Sequence, residues 1–268
     1  MSAHEYFRSV AVILLVMAAF AVLEAVFPLF ARPTTLAGRR RANLAMTAQA
    51  LLLAFVLTSG VTLAAVYVPF ASLGLMDVAG LPAVVQLVAG VVALDLAYGY
   101  VAHRTMHASP SLWRYHRVHH SDPFVDVTTS YRTHPVEIAW RHLWLFATAW
   151  TLGVPASALV TFRVLSAVNG ILEHANIRMW PALDAVLSGV WVTPNMHKIH
   201  HSRVQPETDS NYGNLFTVHD RLFGTFLPTE RASSVQYGLD DVDPTRIQSV
   251  GALLAMPWRG WSPGEAAT

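Results

Sequence analysis

Long apolar runs separated by short polar connections dominate the first hundred residues. Residues 10–30 are apolar but for Glu24 and Pro28. Residues 44–70 carry Thr47, Gln49 and Thr58 as mild exceptions, and residues 81–101 hold Asp95 near their far end. About 20 apolar residues on a helix cross the hydrocarbon core of a bilayer, so each run predicts a membrane span. A cleaved signal peptide is the weaker competing reading of the first run, since the run is long and Ala31-Arg32-Pro33 is a poor cleavage site. Residues 138–175 are apolar again and break at Gly153-Val154-Pro155, which predicts a helical hairpin of 138–153 and 156–175. Its arms are short for spans, so a re-entrant hairpin is the alternative.

The expected fold is therefore all-α: a multi-span helical membrane protein with a histidine-rich, cytosolic dimetal cap. Residues 1–101 supply the N-terminal transmembrane helices. Residues 102–268 form the histidine-box region, including the membrane hairpin near 138–175. From Arg178 onward the chain is more polar, and Asp240-Asp241-Val242-Asp243-Pro244 suggests a loosely folded tail. Arg32, Arg39, Arg40 and Arg41 lie between the first two runs, whereas residues 71–80 hold no basic residue. The positive-inside rule puts the arginine-rich loop, and with it the end of the third span, in the cytoplasm.

Composition narrows the chemistry. A hydrophobic fraction of 53% with 13% charged residues, and a mean hydropathy of +0.39, depart from soluble globular proteins. The net charge of +1 offers no broad basic surface for nucleic acid. Cysteine is absent, which excludes disulfides, thiolate zinc sites and a cysteine nucleophile. Any metal must be held by nitrogen and oxygen.

Histidine is the exception to this apolar character. His116-Arg-Val-His119-His120 and His197-Lys-Ile-His200-His201 share the pattern H-x-x-H-H, and His103 and His107 stand four apart. Residues three and four apart share one helix face. Charged imidazoles gathered there would repel one another, so a bound cation is the simplest reason to collect them. Eight of the 13 histidines fall in these boxes. That exceeds what one tetrahedral zinc uses, and two metal ions sharing the boxes is the economical count. Ser109-Pro110 and Thr193-Pro194 predict that each H-x-x-H-H box opens its own helix. Imidazole ligation suits iron, copper, nickel or zinc.

These boxes, with Arg132-Thr-His134-Pro-Val-Glu137, His174-Ala-Asn176, Asn211-Tyr-Gly213 and Asp220-Arg-Leu-Phe-Gly-Thr225, resemble the fatty acid hydroxylase/sterol desaturase superfamily of membrane enzymes. The resemblance runs from about Asp95 to Phe226. It implies a four-helix-type membrane base, two iron ions, dioxygen as co-substrate, and hydroxylation or desaturation of a lipid such as a sterol or fatty acyl group. His103, His107, His116, His119, His120, His174, His197, His200 and His201 are then expected in the catalytic metal centre. His134 is expected as a further metal ligand or as a residue orienting one. Glu137 is expected to anchor a box. Asp95 is expected to pair with a histidine from another box, and His219 reads as a departure from the pattern. No electron-transfer domain is evident, so the expected partners are a membrane lipid and a separate donor: a cytochrome b-type protein, or a ferredoxin or rubredoxin with its reductase. The competing reading, a divalent metal transporter, calls for ionisable ligands inside the spans. Here the boxes follow the spans. A zinc hydrolase lacks its H-E-x-x-H signature.

Overall fold

The computed structural model describes residues 3–33, 36, 38–67 and 74–259. Its long helices are α1 (Ala3–Val26), α2 (Arg39–Tyr67) and, after the single turn α3 (Leu75–Val78), α4 (Ala83–Leu94). A π-helical stretch, Asp95–Val101, joins α4 without interruption to α5 (Ala102–Ala108). Then come α6 (Pro110–His120), α7 (Pro135–Leu152) and α8 (Ala156–His174). The remainder is made of short pieces: α9 (Pro181–Leu187), α10 (Pro194–His200), α11 (Gln205–Thr208), α12 (Val218–Leu222) and α13 (Val250–Ala255). Among the described residues β-structure is confined to isolated bridges. The end of the second apolar run, to Phe70, lies outside the described residues.

Among the described residues four helices are long and apolar enough to cross a membrane: Phe7–Val26, Arg39–Ser59, Ala83–Ala108 and Ala156–His174. The fourth is the second arm of the expected hairpin. The hairpin reaches the far end of the bundle. Its turn residue Gly153 adopts a left-handed conformation (φ 66°), and a Cβ there would stand 2.7 Å from Gly74 Cα, just before α3. Only glycine meets both demands. Inside the bundle, Val91 and Leu94 of α4, Leu145 of α7, and Ala158 and Phe162 of α8 form one buried cluster. Outward, Leu15, Val22, Leu52, Val84, Val88 and Val160 are exposed, as a lipid-facing surface requires.

Two expectations change here. Arg39 is not a free loop charge. It opens α2, is 3% exposed, and lies 3.4 Å from Asp122 Oδ1 and 2.5 Å from Asp126 Oδ2. A buried guanidinium persists because carboxylates and hydrogen bonds replace its water. The stretch from Asp240 to Arg259 is likewise not loose: Ile247, Leu253 and Met256 bury against Ala42, Met46 and Val118. The sequence signal there was masked by its Pro/Asp-rich approach.

Candidate metal centre

Nine histidines converge where α5, α6, α8 and α10 end. They separate into two groups, His103, His107, His116, His120 and His200 in one, and His119, His174, His197 and His201 in the other. Within each group the facing ligand atoms lie within 4.8 Å of one another. Helical periodicity sorts them. On α6, His116 and His120 are four apart and face the first group, while His119 turns to the second. On α10 and its C-cap the order reverses: His197 and His201 face the second group and His200 the first. Each H-x-x-H-H box thus serves both groups.

The expected start signals hold, but each H-x-x-H-H box closes its helix rather than opening it, since α6 and α10 stop at His120 and His200. Pro110 and Pro194 occupy first-turn positions of α6 and α10, and Thr193 Oγ1 accepts from Met196 N at 3.3 Å. Ser109 sits at the N-cap of α6 without a side-chain hydrogen bond.

The nitrogens present fit metal ions. His103 Nδ1 donates to Tyr212 O (2.8 Å), His200 Nδ1 to Ser210 O (2.8 Å), His174 Nδ1 to Gly170 O (2.6 Å), and His107 Nδ1 to Asp209 Oδ1 (3.0 Å). A neutral imidazole has one N–H, so these four Nε2 atoms present lone pairs. His174 Nε2 nevertheless stands 3.0 Å from His119 Nε2, 3.0 Å from His197 Nε2 and 3.2 Å from His201 Nε2. His103 Nε2 and His120 Nε2 stand 3.0 and 3.2 Å from His116 Nε2. Metal–imidazole bonds of about 2.1 Å at right or tetrahedral angles put neighbouring nitrogens about 3.0–3.4 Å apart. His107 Nε2 and His200 Nε2 are buried without a protein partner. A shared cation accounts for these crowded nitrogens. Burial, reinforced by neighbouring imidazoles, holds His116, His119, His120, His197, His200 and His201 well below the usual histidine range. They are neutral, the ligating form, at pH 7.

His134 lies outside both groups. It caps α7, accepting from Val136 N at 3.2 Å through Nδ1, and packs against Tyr115 and Trp258. Its neighbour Glu137 does reach a box: Oε2 is 3.0 Å from His116 Nδ1, close but outside hydrogen-bond alignment. Asp95 does not pair with a box histidine. Its carboxylate accepts from Leu215 N and Phe216 N, both at 3.0 Å, and lies 3.3 Å from His219. That bond fixes the 210–216 loop, whose Ser210 and Tyr212 carbonyls orient His200 and His103. Asp220 holds the same loop through Tyr212 N and Gly213 N, both at 2.8 Å. Gly213 is required there, since a Cβ would come 2.9 Å from Asp220 Oδ2.

Two supports escaped the sequence. Arg132, fully buried, donates to Val118 O, Asn43 Oδ1 and Ser121 Oγ, closing the C-terminal end of α6. Lys198, between His197 and His200, is also fully buried and donates to Ala175 O at 2.7 Å, with burial pushing its ammonium down to about 7. Arg132 stood inside a quoted motif without a role. Lys198, the chain's one lysine, signalled itself only by its place between two box histidines.

The profile of the fatty acid hydroxylase family matches residues 87–225, just over half of the chain. The chain belongs to the fatty acid hydroxylase family. An ornithine lipid hydroxylase from Rhizobium tropici is 33% identical over 159 residues, covering 59% of this chain and 46% of that protein. An alkylglycerol monooxygenase from Danio rerio is 26% identical over 194 residues, 64% of this chain and 42% of the relative. A fatty acid hydroxylase from Lecanicillium is 29% identical over 146 residues, 50% and 40% of the two. The chain spans less than half the length of each of these relatives. No solved structure matches it significantly.

Proposed function

We propose that this fatty acid hydroxylase family member holds two iron ions and hydroxylates an unactivated C–H bond of a membrane lipid. Dioxygen is the co-substrate, and electrons come from a separate carrier protein. The observation that carries the reading is the convergence of nine buried imidazoles into two groups at the ends of membrane-spanning helices. The family match and the hydroxylase and monooxygenase names of the relatives support hydroxylation over desaturation.

Iron bound by neutral imidazoles supplies redox chemistry toward dioxygen. The chain's own residues supply position and environment. Tyr212, Ser210 and Gly170 carbonyls and the Asp209 carboxylate hold four rings in the tautomer that presents Nε2. Burial of His116, His120, His200 and His201 to 2% exposure or less excludes bulk water from the reacting space. Because α5 and α8 rise from spans and end in ligands, a lipid tail approaches from the bilayer while polar partners approach from the aqueous side. Arg39 is ion-paired to Asp122, two residues past His120, so the arginine-rich connection and the boxes share one face of the membrane. The positive-inside rule makes that face cytoplasmic. A transporter would need ionisable ligands along its spans; this ligand set is gathered at their ends.

The test is turnover by the purified protein, loaded with iron and given a reductase system, candidate lipids and isotopically labelled dioxygen. The product is expected to carry one labelled oxygen. Turnover that persists without dioxygen, or equally with zinc in place of iron, overturns the reading.

A further inference from the structure

Helix α9 is amphipathic in the inverse sense. Asp184 and Ser188, one turn apart, are buried, whereas Pro181, Ala182, Leu183, Ala185, Val186 and Leu187 are exposed. Val186 is 75% exposed, and Trp180 and Val190 flank the helix at 71% and 67%. The outward face carries no charge. Such a contiguous apolar face on an aqueous surface is a liability, and it marks an interaction site.

The backbone places this face. Arg178 N donates to Phe27 O at 3.0 Å, and Leu29 N to Asn176 O at 3.1 Å. Pro28 bridges Ile177 in antiparallel fashion. Phe27 is the residue after the first membrane span, Phe7–Val26. Residues 176–178 are therefore level with the end of that span, and α9 begins three residues later. Arg178, exposed, and Trp180 stand where a cation and an indole meet lipid headgroups. On the inward side, Asp184 Oδ1 accepts from Thr193 Oγ1 at 2.6 Å and Oδ2 from Thr229 Oγ1 at 2.5 Å. Thr193 is the N-cap of α10, which bears His197 and His200.

We infer that the segment from Trp180 to Val190 is a membrane-docking element whose Leu183–Val186–Val190 face lies in the acyl boundary of the leaflet in which α1 ends. The occupant is the hydrocarbon of the bilayer itself, because the face is continuous with the end of a span and rimmed by Arg178 and Trp180. An apolar helix face laid in this boundary binds through its buried area. Through Asp184 and Thr193 the docked element is hydrogen-bonded directly to the helix of the third histidine box. It thereby fixes the height of the metal centre above the bilayer. The inference depends on the spans alone and stands whether or not iron and dioxygen chemistry is confirmed.

The chain has no cysteine, so single nitroxide labels are clean reporters. In proteoliposomes, labels at Val186→Cys and Leu183→Cys are compared with Val88→Cys on the lipid face of α4 and Arg246→Cys on the aqueous surface. The α9 labels are expected to follow Val88, with high collision rates toward oxygen and low rates toward a water-soluble nickel chelate. Behaviour matching Arg246 overturns the inference. So does protection from both quenchers, or disulfide formation between two Val186→Cys chains, since either means that protein rather than lipid covers the face. Far-ultraviolet circular dichroism of each variant confirms that it is folded, and metal-free protein serves as well as loaded protein.

Discussion

His116 Nδ1 stands 3.0 Å from Glu137 Oε2, and Arg141 Nε in turn lies 3.2 Å from Glu137 Oε1. Burial pushes the Glu137 carboxyl up to about 7, opposed by Arg141, and holds His116 well below its usual range. A carboxylate behind a metal-bound imidazole sets its orientation and basicity. Glu137→Ala is expected to weaken metal binding at the five-histidine group by about 10- to 100-fold, with the other group spared. Chelator competition with metal quantified per chain reads the effect. Equal affinity at both sites in the variant would remove Glu137 from this role.

The division of each box between two groups gives a second prediction. His119→Ala and His197→Ala should deplete the same metal, and His116→Ala and His200→Ala the other. The double variant His119→Ala/His120→Ala, though it changes adjacent residues, should deplete both. Elemental analysis with Mössbauer spectroscopy of iron-57-loaded protein distinguishes the two centres. One spectral component lost in each single variant, different for His119 and His200, is the expected pattern.

A third prediction concerns pH. The buried box imidazoles outside the spans have folded-state values below the unfolded value of about 6.5. The unfolded chain therefore takes up more protons as the solution is acidified. Their contribution to stability is complete above about pH 6.5 and is lost as pH falls toward the folded values. Metal-free protein in detergent should show a melting temperature that falls steadily below pH 6.5, the several imidazoles outweighing the opposite trend of Glu137, while Lys198 adds a shallower fall from pH 8 to 7. Added metal should delay the fall, because it binds only the neutral rings. A melting temperature that rises on acidification would contradict the ligand burial.

Asp95 supplies a fourth. Asp95→Asn replaces one acceptor oxygen facing Leu215 N and Phe216 N by an N–H. It should cost about 2 kcal/mol and loosen His103 and His200 through the 210–216 loop. A lower melting temperature together with weaker metal binding at the five-histidine group is expected. An unchanged melting temperature would show that water replaces the lost bond.

Sidedness is the fifth. The Arg40 and Arg246 side chains are 50% and 85% exposed. Cysteines at Arg40 and Arg246 should react with an impermeant reagent from the same face of sealed, oriented vesicles, the cytoplasmic one. Labelling from opposite faces would overturn the topology.

Much of this arrangement is visible in the sequence because hydrophobic length and histidine spacing are local quantities. Runs of apolar residues gave the spans, and i, i+3, i+4 spacing gave shared helix faces. The assignment of His119 and His120 to different groups was not legible, since it depends on how α6 crosses α10. The burial of Arg39 was not legible, because positive charge near a span end fits a loop as well as a buried ion pair with Asp122 and Asp126. His134 resembled a ligand by its neighbours in sequence, yet its ring caps α7. Asp95 was sought beside a histidine box, but a buried carboxylate is satisfied as well by two backbone N–H groups, and chain order does not reveal which loop returns to it.

The π-helical stretch Asp95–Val101 closes its ladder with Ala102 N bonding back to Ala97 O. A π-turn holds more residues than the α-turn it replaces, and each residue of an α-helix advances the side chains by about 100°. His103 and His107 therefore owe their angular phase to a residue count upstream, independent of what those side chains are. Deleting Ala97 would convert the wide turn to an ordinary α-turn and keep both imidazoles near their present phase, whereas deleting one residue of the regular helix Ala83–Leu94 would offset them by about 100°.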